Sequence, residues 1–124
     1  MLLRKEFTFD AAHNLVRYHG KCEVLHGHTY KIAVVLSGTP DEEGMVMDFT
    51  ELSSIVKGRV VSRLDHSYIN EVIEQPTAEN IADWIWDQVE EDVRRPNCGL
   101  YSVEVWETRT SCATLRAEDR TAKS

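Results

Sequence analysis

No apolar stretch in the sequence runs longer than Ile32 to Leu36. That is far short of the roughly 20 residues a membrane-spanning helix needs, so no membrane association is expected. The first residues, Met1-Leu2-Leu3-Arg4-Lys5-Glu6, turn charged at once, which is not a signal-peptide pattern. Cysteine is scarce: Cys22, Cys98 and Cys112 are an odd number at wide spacing. A complete disulfide framework is thereby excluded, and a reducing compartment, the cytoplasm, is expected. Positive charge is also in deficit. Against 21 Asp and Glu stand 14 Lys and Arg, a net charge of −7, and the cations are scattered. Nucleic acid and anionic membranes are poor partners for such a surface, and a phosphorylated ligand would need positive charge gathered locally. There is no internal repeat, no low-complexity tract and no linker long enough to divide the chain.

What remains is an ordinary globular composition, 42% hydrophobic and 28% charged over 124 residues, enough for one core without staples. Residues 3–12 alternate: Leu3, Phe7, Phe9, Ala11 and His13 share one parity and Arg4, Glu6, Thr8 and Asp10 the other. This predicts a strand. A second strand is predicted over residues 26–37, with His26, His28, Tyr30, Ile32, Val34 and Leu36 on one face. Between them lies a long loop, residues 14–25, and long loops in compact domains are often functional. Asp48 and Glu51 make a capping-box-like start for a helix with Leu52, Ile55, Val56 and Val60 at helical spacing. A loop over residues 65–75 leads to a second helix opening at Pro76-Thr77, with Ile81, Trp84, Ile85, Val89 and Val93 on its apolar face. Residues 100–108 form a last clear strand, with Tyr101, Val103, Val105 and Glu107 on one face, and a short strand can follow near residues 113–115. Turn clusters at Ser37-Gly38-Thr39-Pro40-Asp41 and Pro96-Asn97-Cys98-Gly99 punctuate these elements. The order predicts an α+β domain over residues 1–116, helices packed on an antiparallel sheet, and a polar tail over residues 117–124.

His26 and His28 carry the first chemical signal. On a strand, residues i and i+2 point to one face about 6.6–6.8 Å apart, so two imidazoles can lean onto one metal ion. An antiparallel neighbour would bring His13 beside them, and three histidines with an open fourth position are what a catalytic zinc site needs. Cys22 has three readings: a small buried hydrophobe, a fourth ligand that closes a structural site, or a thiolate base beside the metal. Asp65 and His66, adjacent in a loop, normally point apart, yet facing a metal site they suit proton transfer. Glu107 is a carboxylate on the face of Val103 and Val105. Burial there without partners is costly, so either the strand end is solvated or a ligand with adjacent N–H groups binds it. His19 shows no partner pattern and reads as loop surface. Trp84 and Trp86 fall on different helix faces and suit core packing or a subunit contact.

Several stretches together resemble the 6-pyruvoyl-tetrahydropterin synthase / 6-carboxy-tetrahydropterin synthase family. They are Phe9-Asp10-Ala11-Ala12-His13, Cys22-Glu23-Val24-Leu25-His26-Gly27-His28, Met47-Asp48-Phe49, Leu64-Asp65-His66, Pro76-Thr77-Ala78-Glu79-Asn80 and Glu107-Thr108, in the family's order. The resemblance implies the tunnelling fold (T-fold), a four-stranded antiparallel sheet with two helices on one face. It also implies an oligomeric barrel, a homohexamer built from two trimers with active sites between subunits. By the same resemblance His13, His26 and His28 match Zn2+ ligands and Cys22 the catalytic cysteine. Asp65 and His66 match its proton-relay partners, Glu107 the acid that anchors the pterin ring, and Thr77 a contact at the pterin edge. The three-residue gap between Cys22 and His26 is that of the bacterial carboxy-forming enzymes of the queuosine pathway. These convert 7,8-dihydroneopterin triphosphate to 6-carboxy-5,6,7,8-tetrahydropterin, releasing acetaldehyde and triphosphate. The pyruvoyl-forming enzymes have a longer gap. Glu23 beside Cys22 is a departure, since in some relatives a glutamate in this loop replaces the cysteine and cleavage gives 6-hydroxymethyl-dihydropterin for folate synthesis. A reading of another class is a non-catalytic, zinc-stabilised binding module with Cys22 as fourth ligand.

Overall fold

A computed structural model describes residues 1–17 and 24–123 of the chain, with the side chains of residues 121–123 left aside. Lys21, Cys22, Glu23 and His19 lie outside the described residues. Strand β1 (Leu2–His13) runs antiparallel to β2 (His26–Gly38), in register from Leu2 opposite Ser37 to His13 opposite His26. On its other side β2 pairs with β4 (Cys98–Thr108), which turns back into β5 (Ser111–Arg116). These four antiparallel strands are the expected sheet, each reaching slightly beyond its predicted bounds. A fifth strand was not foreseen. The two residues of β3 (Ser67–Tyr68) pair in parallel with Ala11 and Ala12, giving the order β3-β1-β2-β4-β5.

The alternation works because one face of the sheet is dry. Phe7, Phe9 and Ala11 of β1, Tyr30, Ile32, Val34 and Leu36 of β2, and Val103 and Val105 of β4 join one core with the helices. Each fully buried Val, Leu or Ile side chain there stabilises by roughly 1.5–3 kcal/mol over its exposed state. Helix α1 (Phe49–Val56) supplies Leu52 and Val56, and its N-cap Asp48 accepts from the Thr50 N–H at 2.8 Å. Glu51, the expected partner in a capping box, instead binds Arg95. A π-helical turn, Lys57–Val61, carries the chain into the short α2 (Ser62–Leu64). Helix α3 (Ala78–Val93) buries Ile81, Ala82, Ile85, Trp86, Val89 and Val93. Trp86 rather than Trp84 enters the core, because it falls on the stripe of Ala82, Val89 and Val93; Trp84 is half-buried beneath Arg63.

On the opposite face Ala33 and Val35 are also buried. They lie under an ion-pair net in which Arg4 holds Glu104 (2.7 Å) and Glu6 (3.1 Å), with Lys31 and Arg4 over the Trp106 ring. The Glu6 carboxyl is held below its ordinary range chiefly by its hydrogen bond from Arg4. The expected polar tail is a helix, α4 (Ala117–Lys123). Arg120 docks it onto α3 through Asp83 (2.9 Å) and Asp87, over the Trp86 ring. Its sequence has no apolar stripe to betray it, since the contact is made by charge. Among the described residues no helix is long and apolar enough to cross a membrane.

Candidate metal centre and active site

The antiparallel register places His13 directly opposite His26, while His28 lies two residues along β2 on the same face. The Nε2 atoms of His13 and His26 are 3.2 Å apart. Glu107, one residue past the Lys31–Trp106 pair on β4, brings Oε1 to 2.9 Å from His13 Nε2 and 3.4 Å from His28 Nε2. The four ligand atoms lie within 4.8 Å of one another. Tetrahedral zinc ligands at 2.0–2.1 Å stand about 3.3–3.4 Å apart, so the spacing fits. Tautomers fit as well. The Nδ1–H of His13 donates to the Pro76 carbonyl at 3.1 Å, and that of His26 to the Val24 carbonyl at 2.9 Å. With the proton held on Nδ1, each Nε2 offers its lone pair to the common centre, as outer partners of metal-binding histidines do. His13 is only 2% exposed. Its ring and that of His28 stand edge-on to the fully buried Tyr30, which stacks on Phe9 at 5.3 Å and floors the group. His13, His26, His28 and Glu107 can together hold a metal ion. Glu107 in that role, and Tyr30 as floor, were not anticipated from the sequence. Parity had placed Glu107 on the right face, but its reach to His13 crosses β2.

Asp65 and His66 do meet, against the usual divergence of neighbours. His66 has φ of 58°, the left-handed region, which is uncommon away from glycine and turns the imidazole back. Its Nδ1 lies 3.1 Å from Asp65 Oδ2. The other carboxylate oxygen, Oδ1, accepts the Asp10 N–H at 3.0 Å, while the His66 N–H donates to the Asp10 carbonyl at 2.6 Å. The dyad is thus fastened to β1 three residues before His13. His66 is 80% exposed and lines, with His28, Asp10, Gly27 and Thr29, an open cleft of about 550 Å³. Asp10 was another residue the sequence did not single out; it also accepts a hydrogen bond from the Thr29 hydroxyl.

Thr77 is the N-cap of α3. Its hydroxyl accepts the Asn80 N–H at 3.1 Å. Thr77→Ala is expected to cost about 1 kcal/mol of stability and Thr77→Ser little, measured by urea unfolding. A loss of substrate affinity in Thr77→Ala with unchanged stability would instead favour the pterin contact.

The model of the family described as "6-pyruvoyl tetrahydropterin synthase" matches residues 2–118. The chain belongs to this family. It is 44% identical over 119 residues to 6-carboxy-5,6,7,8-tetrahydropterin synthase of Synechocystis sp., covering 90% of each chain. It is 40% identical over 100 residues to the dihydroneopterin monophosphate aldolase of Pyrococcus furiosus, covering 81% of this chain and 83% of that one. Among solved structures, 6-pyruvoyl tetrahydropterin synthase of Caenorhabditis elegans superposes with a TM-score of 0.78 at 26% identity, over 94% and 95% of the two chains. The T-fold expected from the resemblance is therefore the fold of this family member, an enzyme family acting on pterins.

Proposed function

We propose that this family member converts 7,8-dihydroneopterin triphosphate to 6-carboxy-5,6,7,8-tetrahydropterin, releasing acetaldehyde and triphosphate, with Zn2+ held by His13, His26 and His28. The observation that carries the reading is the convergence of the three histidines, with the Nδ1 protons of His13 and His26 already committed to carbonyls. It occurs in a chain 44% identical to a protein named for that reaction. When bound, zinc supplies Lewis acidity that makes side-chain hydroxyl and neighbouring C–H protons easier to remove.

The protein's own groups do the rest. Cys22 moves protons as thiolate and thiol. His66 is its partner acid or base, and Asp65 orients it by accepting at Nδ1 while itself tied to Asp10. Glu107, one third exposed, has two carboxylate oxygens, enough to receive the paired N–H donors of a pterin ring. The reading includes assembly. Among the described residues β5 ends the sheet, and sheet edges invite pairing, here closure with other copies into a homohexamer whose active sites lie between subunits.

A second reading has a specific support. One relative is named an aldolase, and Glu23 adjoins Cys22. Side-chain cleavage to 6-hydroxymethyl-dihydropterin is the alternative outcome. The test is mass spectrometry of products after incubating the zinc-loaded protein with dihydroneopterin triphosphate. 6-Carboxy-tetrahydropterin with acetaldehyde is expected. 6-Hydroxymethyl-dihydropterin or 6-pyruvoyl-tetrahydropterin as the sole product would overturn the main reading, and no conversion at full zinc occupancy would support the non-catalytic module.

A further inference from the structure

After His13 the chain leaves β1 and its pairing with β2, and β3 pairs with only two residues of β1. The chain nevertheless stays tied. Asn70, in the 3-10 turn Ile69–Glu71 just after β3, uses its side-chain amide as a peptide would. Its Oδ1 accepts the Asn14 N–H at 3.0 Å and its Nδ2 donates to the Asn14 carbonyl at 2.7 Å and the Glu74 carbonyl at 3.2 Å. Gln75 takes the next rung. Its Oε1 accepts the N–H groups of Val16 (2.8 Å) and Arg17 (3.0 Å), and its Nε2 donates to the Arg17 carbonyl at 2.9 Å. The Tyr68 hydroxyl reaches Asn14 Oδ1, and the Pro76 carbonyl receives the His13 Nδ1–H. Ala12, Asn14 and Val16 are thus held at successive alternate positions: the first by backbone, the other two by amide side chains that carry both a donor and an acceptor.

We propose that Asn70 and Gln75 are positioning residues that prolong the parallel ladder, so that the segment bearing Asp65 and His66 and the strand end bearing His13 keep one register. The consequence is mechanical. A slip of this segment moves the relay dyad relative to the metal group, and misplacement by about 1 Å can cost about 100-fold in rate. The inference rests on the roles given above to His13, Asp65 and His66.

The side chains differ in which of their atoms are needed, and that makes the test specific. Gln75→Glu keeps the one oxygen that accepts from both Val16 and Arg17 and replaces the donor to the Arg17 carbonyl by an oxygen at an exposed position, where water can separate the two; Gln75→Met loses all three bonds. Asn70→Asp keeps one acceptor but sets a carboxylate against two carbonyls, and Asn70→Ala removes everything. In the full chain, Asn70→Ala, Asn70→Asp and Gln75→Met are expected to lower kcat by about 10- to 100-fold, with KM little changed and zinc at parental stoichiometry. Gln75→Glu is expected to stay close to the parent. A second readout needs no substrate. In cobalt-loaded protein the d–d absorption reports ligand geometry, and it should shift in the three disabling variants and not in Gln75→Glu. Should an Asn70 variant fail to fold, the Gln75 pair decides. Unchanged kcat and cobalt spectra in Gln75→Met, or a Gln75→Glu as impaired as Gln75→Met, would overturn the proposal. An inactive parent would sink the functional reading, and the cobalt comparison would then settle this one by itself.

Discussion

His13→Ala is expected to empty the metal site and reduce turnover by more than the 10- to 100-fold that loss of an outer-shell partner alone costs. The position explains the size of the effect. His13 is nearly inaccessible, and its Nε2 lies 3.2 Å from His26 Nε2 and 2.9 Å from Glu107 Oε1. Removing the ring takes away a ligand and leaves the buried Pro76 carbonyl without its donor. His26→Ala and His28→Ala should likewise lose zinc and activity together, though with less effect on the fold, since both are more exposed. The measurements are zinc per chain by plasma mass spectrometry and product formation on the same samples. Glu107→Gln separates two roles for the carboxylate. Loss of zinc there would make Glu107 a ligand, while retained zinc with raised KM would make it the pterin anchor. Full zinc occupancy in all three histidine variants would refute the assignment of the site.

Much of this centre was legible in the sequence because it is built on strands with one wet and one dry face. Period-two alternation assigned each residue of β1 and β2 to a face, and a one-residue slip would have put every apolar side chain on the wrong side. That constraint puts His13 on the same face as His26 and His28, near them on a neighbouring strand; the register that sets His13 opposite His26 is seen in the structure. Glu107 was harder. Its face was readable, but its distance from His13 depends on the β2–β4 register, which a bulge at Val35–Leu36 shifts, and no periodicity encodes a bulge. β3 is two residues of parallel pairing, too short to carry a pattern. The meeting of Asp65 and His66 depends on a left-handed backbone at a histidine, a conformation imposed by the Asp10 contacts, fifty-five residues away in sequence from Asp65. The amide ladder of Asn70 and Gln75 belongs to the same category, since half-buried polar side chains in a loop look like any other loop. Helix α4 escaped because Arg120 anchors it by charge.

Cys22→Ala is expected to keep zinc and the fold while lowering formation of 6-carboxy-tetrahydropterin by about 10²- to 10⁴-fold, the range supplied by a positioned acid or base. Neither other thiol is suited to take over. Cys98 is buried in the core, and desolvation pushes its thiol up from the ordinary value; desolvation raises that of Cys112 too. A higher thiol pKa means less thiolate near neutrality and a weaker base in that role. Zinc loss in Cys22→Ala would identify the residue as a fourth ligand instead, and the site as structural. Substituting Glu23 then tests which product is formed. If the loop is extended there, adjacent side chains point to opposite sides, and only a turn would let both Cys22 and Glu23 face the metal group. If Cys22 alone serves the chemistry, Glu23→Ala should leave carboxy-product formation within a few-fold of the parent. If Glu23 serves a second route, the parent should also yield some 6-hydroxymethyl-dihydropterin, retained in Cys22→Ala and lost in Glu23→Ala. The spacing of Cys22 to His26 favours the first outcome, and the 40% identity to a protein named an aldolase keeps the second chemically open. Loss of the carboxy product in Glu23→Ala, with zinc intact, would contradict this division of labour, because the carboxylate would then be acting in the same proton transfers as the thiolate.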